Sequence, residues 1–277
     1  MNKLSLCWGS LEGVDFETFL LSAAGAGFAA VTLNTALYLE ARSSGMSDQD
    51  IGQCLRDNGL IVSDIDPLFN WLPGAPSLPG SDPISICTRA TMEDVFRLAH
   101  VAGTNLVNAP LGMVTPDTEQ EIVDCFAELC EKARQEDLRV SLEFMPFTQV
   151  RDLPTAARIV QQAGCDNGGI MFDCWHHHRG GGSPEDILSV SGEHFFAMQL
   201  DDALLEPMED IMEETLNHRL LPGEGSIDLV QTLRNLQTVG ADVMYDIEVF
   251  SDPMRSLSTA ERARQMFAAA SFIVGQI

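Results

Sequence analysis

RVSLEFMPFTQVRDLPTAARIVQQAGCDNGGIMFD, residues 139–173, carries two short apolar runs separated by a helix-like segment. The runs, RVSLE (139–143) and GGIMFD (168–173), are too short for helices, and each closes on a carboxylate, Glu143 and Asp173. Residues 155–163 between them read as a helix. Two strands joined by a helical crossover lie parallel, so their C-terminal ends share one edge of the sheet. The same pattern continues downstream. FFAMQL (195–200) brings Gln199 to a strand end, and VMYDIEV (243–249) brings Glu248. Three carboxylates and an amide converging on one cavity repel each other unless a cation holds them, so the pattern points to a divalent-metal site.

Upstream, LSLC (4–7), AAVTLN (29–34), IVSDID (61–66) and TNLVNA (104–109) complete a set of eight strands. Helix-like segments cover 15–26, 46–58, 91–102, 117–135, 155–163, 184–189, 228–239 and 259–274. Ser47 and Thr91 serve as N-caps, and Gly27, Gly59 and Gly103 as stops. Eight alternating units spell an α/β fold, a single (β/α)8 TIM barrel over residues 1–277, with ligands at the strand C-termini. An open doubly wound sheet is disfavoured because no Gly-rich turn follows the first strand. The Pro/Gly-rich 72–83 reads as a loop over the barrel mouth, and 201–225 is the other long connection.

Acidic residues outnumber basic ones by 41 to 16, a net charge of −25, which repels nucleic acid and anionic membranes at long range. The seven cysteines form no CxxC pair, and neither a signal peptide nor an ~18-residue apolar span is evident. These features predict a soluble cytoplasmic protein that binds a small molecule. Lys3 and Lys132 are the two lysines and neither ends a strand, which excludes a Schiff-base mechanism.

The densest chemical string is DCWHHHRGGGSPED (173–186), which places His176 three residues after Asp173 and follows it with Arg179 in a glycine-rich, mobile-looking loop. Exposed turn histidines are the plainer reading of His177 and His178. In LPGEGSID (221–228) a tight turn leads to a helix beginning near Asp228. Glu224 there is either a turn former or a partner of a metal ligand, and Arg219 just before it suits a substrate oxygen or carboxylate. Trp8, Phe69, Trp71, Phe147 and Trp175 fall near strand ends and suggest apolar walls. Asn108, Arg42, Arg151 and Arg255 are further candidates for the mouth. The expected substrate contacts are Arg179, Arg219, Trp71, Trp175 and Asn108.

SLEF around Glu143, FDCWH with Asp173 and His176, the PGEGSID turn and DIEVF around Glu248 together resemble the xylose-isomerase-like TIM-barrel superfamily of sugar-phosphate isomerases and epimerases. The resemblance spans nearly the whole chain. It implies that Glu143, Asp173 and Glu248 bind one divalent metal, with Glu143 and Glu248 also acting as the acid/base pair and His176 assisting. The fourth ligand is commonly a histidine in His-x-x-Asp. AMQLDDA puts Gln199 there, whose amide suits Mg2+ or Mn2+, with Co2+ a further option and zinc disfavoured. Asp201, His176 or water would replace Gln199 were it turned away. Gln at this place also resembles the 3-dehydroshikimate dehydratase branch. The superfamily's endonuclease IV-like enzymes need many histidines for three zinc ions, and this chain has six in all. The resemblance implies a metal-dependent isomerase or epimerase of a small hydroxy-ketone acting through an enediolate. A dehydratase is the first alternative and a non-catalytic sugar-binding barrel the second. Barrels of this kind often pair, so the resemblance leaves both a monomer and a homodimer open.

Overall fold

A computed structural model describes residues 3–112, 114 and 116–277. Its strands are Leu4–Leu6 (β1), Ala30–Leu33 (β2), Ile61–Ile65 (β3), Leu106–Pro110 (β4), Arg139–Glu143 (β5), Gly168–Asp173 (β6), Phe195–Leu200 (β7) and Tyr245–Ile247 (β8). They run parallel in chain order and β8 closes on β1, giving the expected eight-stranded barrel. The register sets Asp173 beside Gln199 and Gln199 beside Asp246, so side chains from successive strands reach the same level of the interior.

The helices are Phe16–Ala26 (α1), Thr35–Ser43 (α2), Asp48–Asp57 (α3), Pro83–Cys87 (α4), Met92–Ala102 (α5), Glu119–Arg134 (α6), Leu153–Ala163 (α7), Cys174–Arg179 (α8), Ile211–Asn217 (α9), Leu229–Val239 (α10), Asp252–Arg255 (α11) and Thr259–Val274 (α12). Ser47 and Thr91 cap α3 and α5 with reciprocal bonds to Asp50 and Asp94, and Gly27 and Gly103 end α1 and α5 with positive φ. Apolar faces of these helices, such as Phe16, Phe19 and Leu20 of α1 and Ile122, Phe126 and Leu129 of α6, are buried against the barrel.

Besides the short helices α4 and α11, which the sequence pattern does not predict, four elements depart from expectation. The chain after β2 forms α2 because the Asn34 side chain accepts the Leu37 N–H at 2.8 Å. The histidine stretch, read as a turn leading into a mobile loop at Arg179 and its glycines, forms α8 because Asp173 accepts the His176 N–H at 2.7 Å. The connection 201–225 contains α9, and 184–189 is a 3-10 turn.

That connection is organised by one carboxylate. Asp202, fully buried, accepts backbone N–H groups from Ala203, Gly223, Gly225 and Ile227 at 2.9–3.0 Å. A side chain at Gly225 would strike the Ala203 carbonyl at 2.3 Å, so the turn requires glycine. The Arg219 N–H then bonds the Phe250 carbonyl at 3.0 Å, fixing Arg219 beside the end of β8. Replacing Asp202 by Ala leaves several buried donors unpaired and should lower stability by about 2–4 kcal/mol in denaturant titrations, with amide exchange accelerating over residues 219–227.

Candidate active site

A cavity of ≈ 940 Å³ opens where the strands end. Its floor presents Asp66, Glu143, His176, Arg219 and Glu248, and its walls include Trp8, Phe69, Phe147 and Phe250. The loop at 72–83 contributes Pro76, Leu78 and Asp82, as its expected place over the mouth requires.

Nearly every oxygen on the floor is committed. Asn108 Nδ2 donates to Asp66 Oδ1 and to Glu143 Oε2, both at 2.7 Å, while Asn108 Oδ1 accepts from Ser141 Oγ at 3.0 Å. Asp173 uses Oδ1 to cap α8 and Oδ2 to accept Arg219 Nη1 at 2.7 Å. Glu248 Oε1 accepts from Cys7 Sγ and from Gln199 Nε2, each at 3.1 Å, and Glu248 Oε2 accepts from Arg219 Nη1 at 3.0 Å. The same Nη1 donates to Asp201 Oδ2 at 2.5 Å, and Asp201 Oδ1 accepts the Trp175 N–H. Arg219 is held from behind by Thr215, whose carbonyl and hydroxyl accept from Nε and Nη2 at 3.1 and 2.9 Å. His176 Nε2 lies 3.5 Å from Glu143 Oε1 and 3.7 Å from Asp173 Oδ2.

Burial and mutual repulsion shape the ionisation of this cluster. Burial, then the charges of Asp66, Glu248 and Asp173, push Glu143 well above the usual carboxylate range. Burial raises Glu248 to about 8, with Arg219 opposing and Asp66 and Asp173 adding to it. Asp173 goes the other way: burial alone would raise it, but Arg219, His176 and the capped N–H hold it below its ordinary value. Burial lowers His176 to about 4, so its imidazole is neutral near pH 7. Deeper in the barrel, burial and then Asp66 raise Asp64 to about 7.

Glu143, Asp173 and His176 therefore come within 4.8 Å of one another, while Glu248 lies beside them with Cys7 and Asp66, bonded to Gln199 and joined to Asp173 through Arg219. The substrate candidates fare differently. Asn108 is fully buried with its amide spent on Asp66, Glu143 and Ser141, so it positions carboxylates. Trp71 packs on Phe126 and bonds the Pro110 carbonyl, and Trp175 is fully buried behind Arg219, 5.2 Å from the guanidinium; neither lines the cavity. Arg179 ends α8 and pairs with buried Glu214 at 2.7 Å, also outside the cavity, because a helix turned it away from the mouth. Arg219 does line the cavity, but its donors face carboxylates, Thr215 and, from Nη2 at 3.4 Å, His176 Nε2. Arg255 lines it too, paired with Glu12 and Asp252. Glu224 is exposed, and Arg42 pairs at the surface with Asp48.

The donor set suits a divalent cation. Ligand atoms of Glu143, Asp173 and His176 lie within 4.8 Å of one another, and the buried Gln199 Oε1 has no hydrogen-bond partner. An acceptor buried without a donor is satisfied by a hard cation. Arg219 Nη1, however, already rests on Asp173 and Glu248.

The sequence profile of the xylose isomerase-like TIM barrels matches residues 20–271. This chain belongs to that family. Among relatives of this xylose isomerase-like barrel, the inosose isomerase of Bacillus licheniformis is 30% identical over 150 residues, 53% of each chain. The chain thus matches about half the length of that protein. The 3-dehydroshikimate dehydratase of Pseudomonas aeruginosa is 31% identical over 175 residues, 62% of this chain and 27% of that one. The IOLI protein, solved with a bound zinc atom, superposes with a TM-score of 0.84 over 100% of this chain and 99% of its own, at 21% identity. At that identity the likeness is one of fold.

Two members of the site escaped the sequence reading. Asp66 carries the same signal as Glu143, an acid closing a strand-like run. Cys7 has no such signal, since its contact with Glu248 spans β1 and β8. No described helix of this xylose isomerase-like barrel is long and apolar enough to cross a membrane.

The raised acids give a stability signature. Glu248 and Asp64 keep their protons in the fold up to about 8 and about 7, and lose them at lower pH when unfolded. Their contribution is complete below the unfolded pKa and vanishes as pH rises through the folded one. His176, depressed to about 4 from 6.5, opposes this only below 6.5. The cation-free protein should therefore melt at lower temperature as pH rises from 6.5 to about 8; a rise would mean that these acids are already ionised in the fold.

Proposed function

We propose that this xylose isomerase-like barrel is an isomerase or epimerase of an uncharged polyhydroxy-ketone. The observation that carries the reading is the pair Glu143 and Glu248, two carboxyls on one cavity floor, Glu143 raised well above the ordinary carboxylate range by burial and Glu248 raised by burial to about 8. A carboxyl tuned in this way can take a proton from the carbon next to a carbonyl and return one. A divalent cation held by Glu143, Asp173, Glu248 and the Gln199 oxygen would supply Lewis-acid polarisation of that carbonyl.

The rest belongs to the protein. One glutamate accepts the α-proton, the C–H electron pair moves into an enediolate, and the other glutamate delivers a proton to the neighbouring carbon or the opposite face. Asn108 holds Glu143, and Gln199 and Cys7 hold Glu248, so neither carboxyl swings freely. Neutral His176, 3.5 Å from Glu143 Oε1, can pass a proton between a substrate hydroxyl and that carboxylate. Trp8, Phe69 and Phe147 offer apolar surfaces to the carbon face of a polyol and exclude water from it.

Charge favours an uncharged substrate. Glu12, Asp66, Asp82, Glu143 and Glu248 line the cavity, and both lining arginines are engaged by carboxylates, Arg219 by three and Arg255 by Glu12 and Asp252. No lining arginine is left for a substrate carboxylate or phosphate. That supports the activity named for the inosose isomerase relative over the one named for the 3-dehydroshikimate dehydratase relative. The dehydratase stays as the second reading because Gln199 occupies the place of the usual histidine and because the dehydratase likeness covers more of this chain.

Inosose incubated in D2O with the Mn2+-loaded protein should incorporate deuterium beside the carbonyl, followed by NMR. Glu143→Gln and Glu248→Gln should each slow the exchange by about 10²–10⁴-fold. No exchange with inosose, together with an ultraviolet chromophore growing from 3-dehydroshikimate, would replace this reading with the dehydratase.

A further inference from the structure

Arg219 is the one arginine on the floor of the cavity, and its position there is unusual. Its side chain is 2% exposed, and one nitrogen, Nη1, contacts Asp173 Oδ2, Asp201 Oδ2 and Glu248 Oε2 at 2.7, 2.5 and 3.0 Å. Two of these acids are the residues whose place at strand ends marks them as cation ligands. Their remaining oxygens are spent elsewhere: Asp173 Oδ1 caps α8, and Glu248 Oε1 takes the Cys7 thiol and the Gln199 amide. The oxygens that face the guanidinium are therefore the ones a divalent cation would need.

Nη1 and a divalent cation compete for these oxygens. An ion at metal–oxygen distances near ~2.1 Å from Asp173 Oδ2 and Glu248 Oε2 would stand only a few ångströms from Nη1, and the two positive charges would repel across a buried, poorly screened gap. We propose that the Arg219 guanidinium is a built-in counter-cation that occupies the metal position in the cation-free protein and withdraws from Asp173 and Glu248 when a divalent cation binds. This rests on the divalent-cation part of the function proposed above.

The structure supplies the place to which Arg219 withdraws. Asp201 sits outside the expected ligand set, is fully buried, and binds Nη1 at 2.5 Å while its other oxygen is anchored by the Trp175 N–H. Thr215 holds Nε and Nη2 from α9. A small rotation about these three anchors keeps the arginine paired and turns Nη1 from the carboxylates toward the cavity it already lines. From there it can donate to a neutral substrate oxygen while Asp201 keeps its charge paired, so no net positive charge is offered to a substrate anion. The exchange also keeps Asp173 and Glu248 from facing each other unscreened before loading, since removing one member of a buried ion pair is strongly destabilising.

Two measurements test this, and neither uses turnover. Mn2+ affinity is measured by calorimetry for the wild type, Arg219→Gln and Arg255→Gln. Arg255 lines the same cavity but pairs with Glu12 and Asp252, so its removal reports the general effect of losing a positive charge. Arg219→Gln should bind Mn2+ about tenfold or more tightly than the wild type, and Arg255→Gln should change little. Should Arg219→Gln fail to fold, crystal structures of the wild type with and without Mn2+ decide the matter. Nη1 should leave hydrogen-bond reach of Asp173 and Glu248 in the loaded form and keep Asp201. Equal gains in both variants, or Nη1 still on Asp173 and Glu248 beside a bound Mn2+, overturn the exchange while leaving the cation site intact. Absence of Mn2+ binding in wild type and variants alike overturns the exchange together with the divalent-cation reading.

Discussion

Arg219, Asp173, Asp201 and Glu248 form a four-membered ion cluster in which one guanidinium nitrogen faces three carboxylates and no group is more than 6% exposed. Charges so buried are tolerated only when paired, and here a single positive charge must serve three negative ones. The shortfall is partly met by protons, since Glu143, Asp201 and Glu248 are all raised above their ordinary values by burial before any neighbour acts. A site held together in this way is under-neutralised by construction. That shortfall of positive charge makes it receptive to a divalent cation, and burial holds both Glu143 and Glu248 above their ordinary values.

The fold around the cluster delivers these groups at a fixed distance from one another. Parallel strands end on one rim, and inside the rim Asn108, Ser141, Gln199 and Cys7 spend their polar atoms orienting carboxylates. These residues occupy interior positions where bulky branched side chains are usual for a barrel, so packing volume has been exchanged for hydrogen bonds. Asp202 plays the matching part outside the rim. By gathering four backbone donors it folds a long connection back over the mouth and carries Arg219 into the cluster.

The acidity of the whole chain and that of the site point the same way. A net charge of −25 and five acids around the cavity favour cations and neutral molecules as occupants. The aromatic walls suit the carbon skeleton of a polyol, and the lining arginines are already taken. Under the function proposed above, selectivity would rest on hydroxyl geometry and shape rather than on a substrate anion.

Sequence alone determined the barrel, the rim on which chemistry occurs, and the acids Glu143, Asp173 and Glu248 that stand on it. Those features are written in local patterns: a run of apolar residues five or six long, a carboxylate closing it, a cap or a glycine bounding the next helix. Only the tertiary structure decided which way the residues of connections face. Arg179 and Trp175 follow Asp173 directly, yet α8 turns them away from the mouth, because an aspartate at a strand end can cap a helix as readily as it can hold a cation. Arg219 lies 46 residues from Asp173 and 29 from Glu248, in a segment without periodicity, and its inward course depends on Asp202 and the backbone of the β8 end. Asn108, expected from sequence as a substrate contact, holds Asp66 and Glu143 instead, since an amide at the rim serves a substrate or a neighbour equally well until those distances are known. Long-range pairing of charges has no local signature, and in this protein it is what converts a ring of acids into a site.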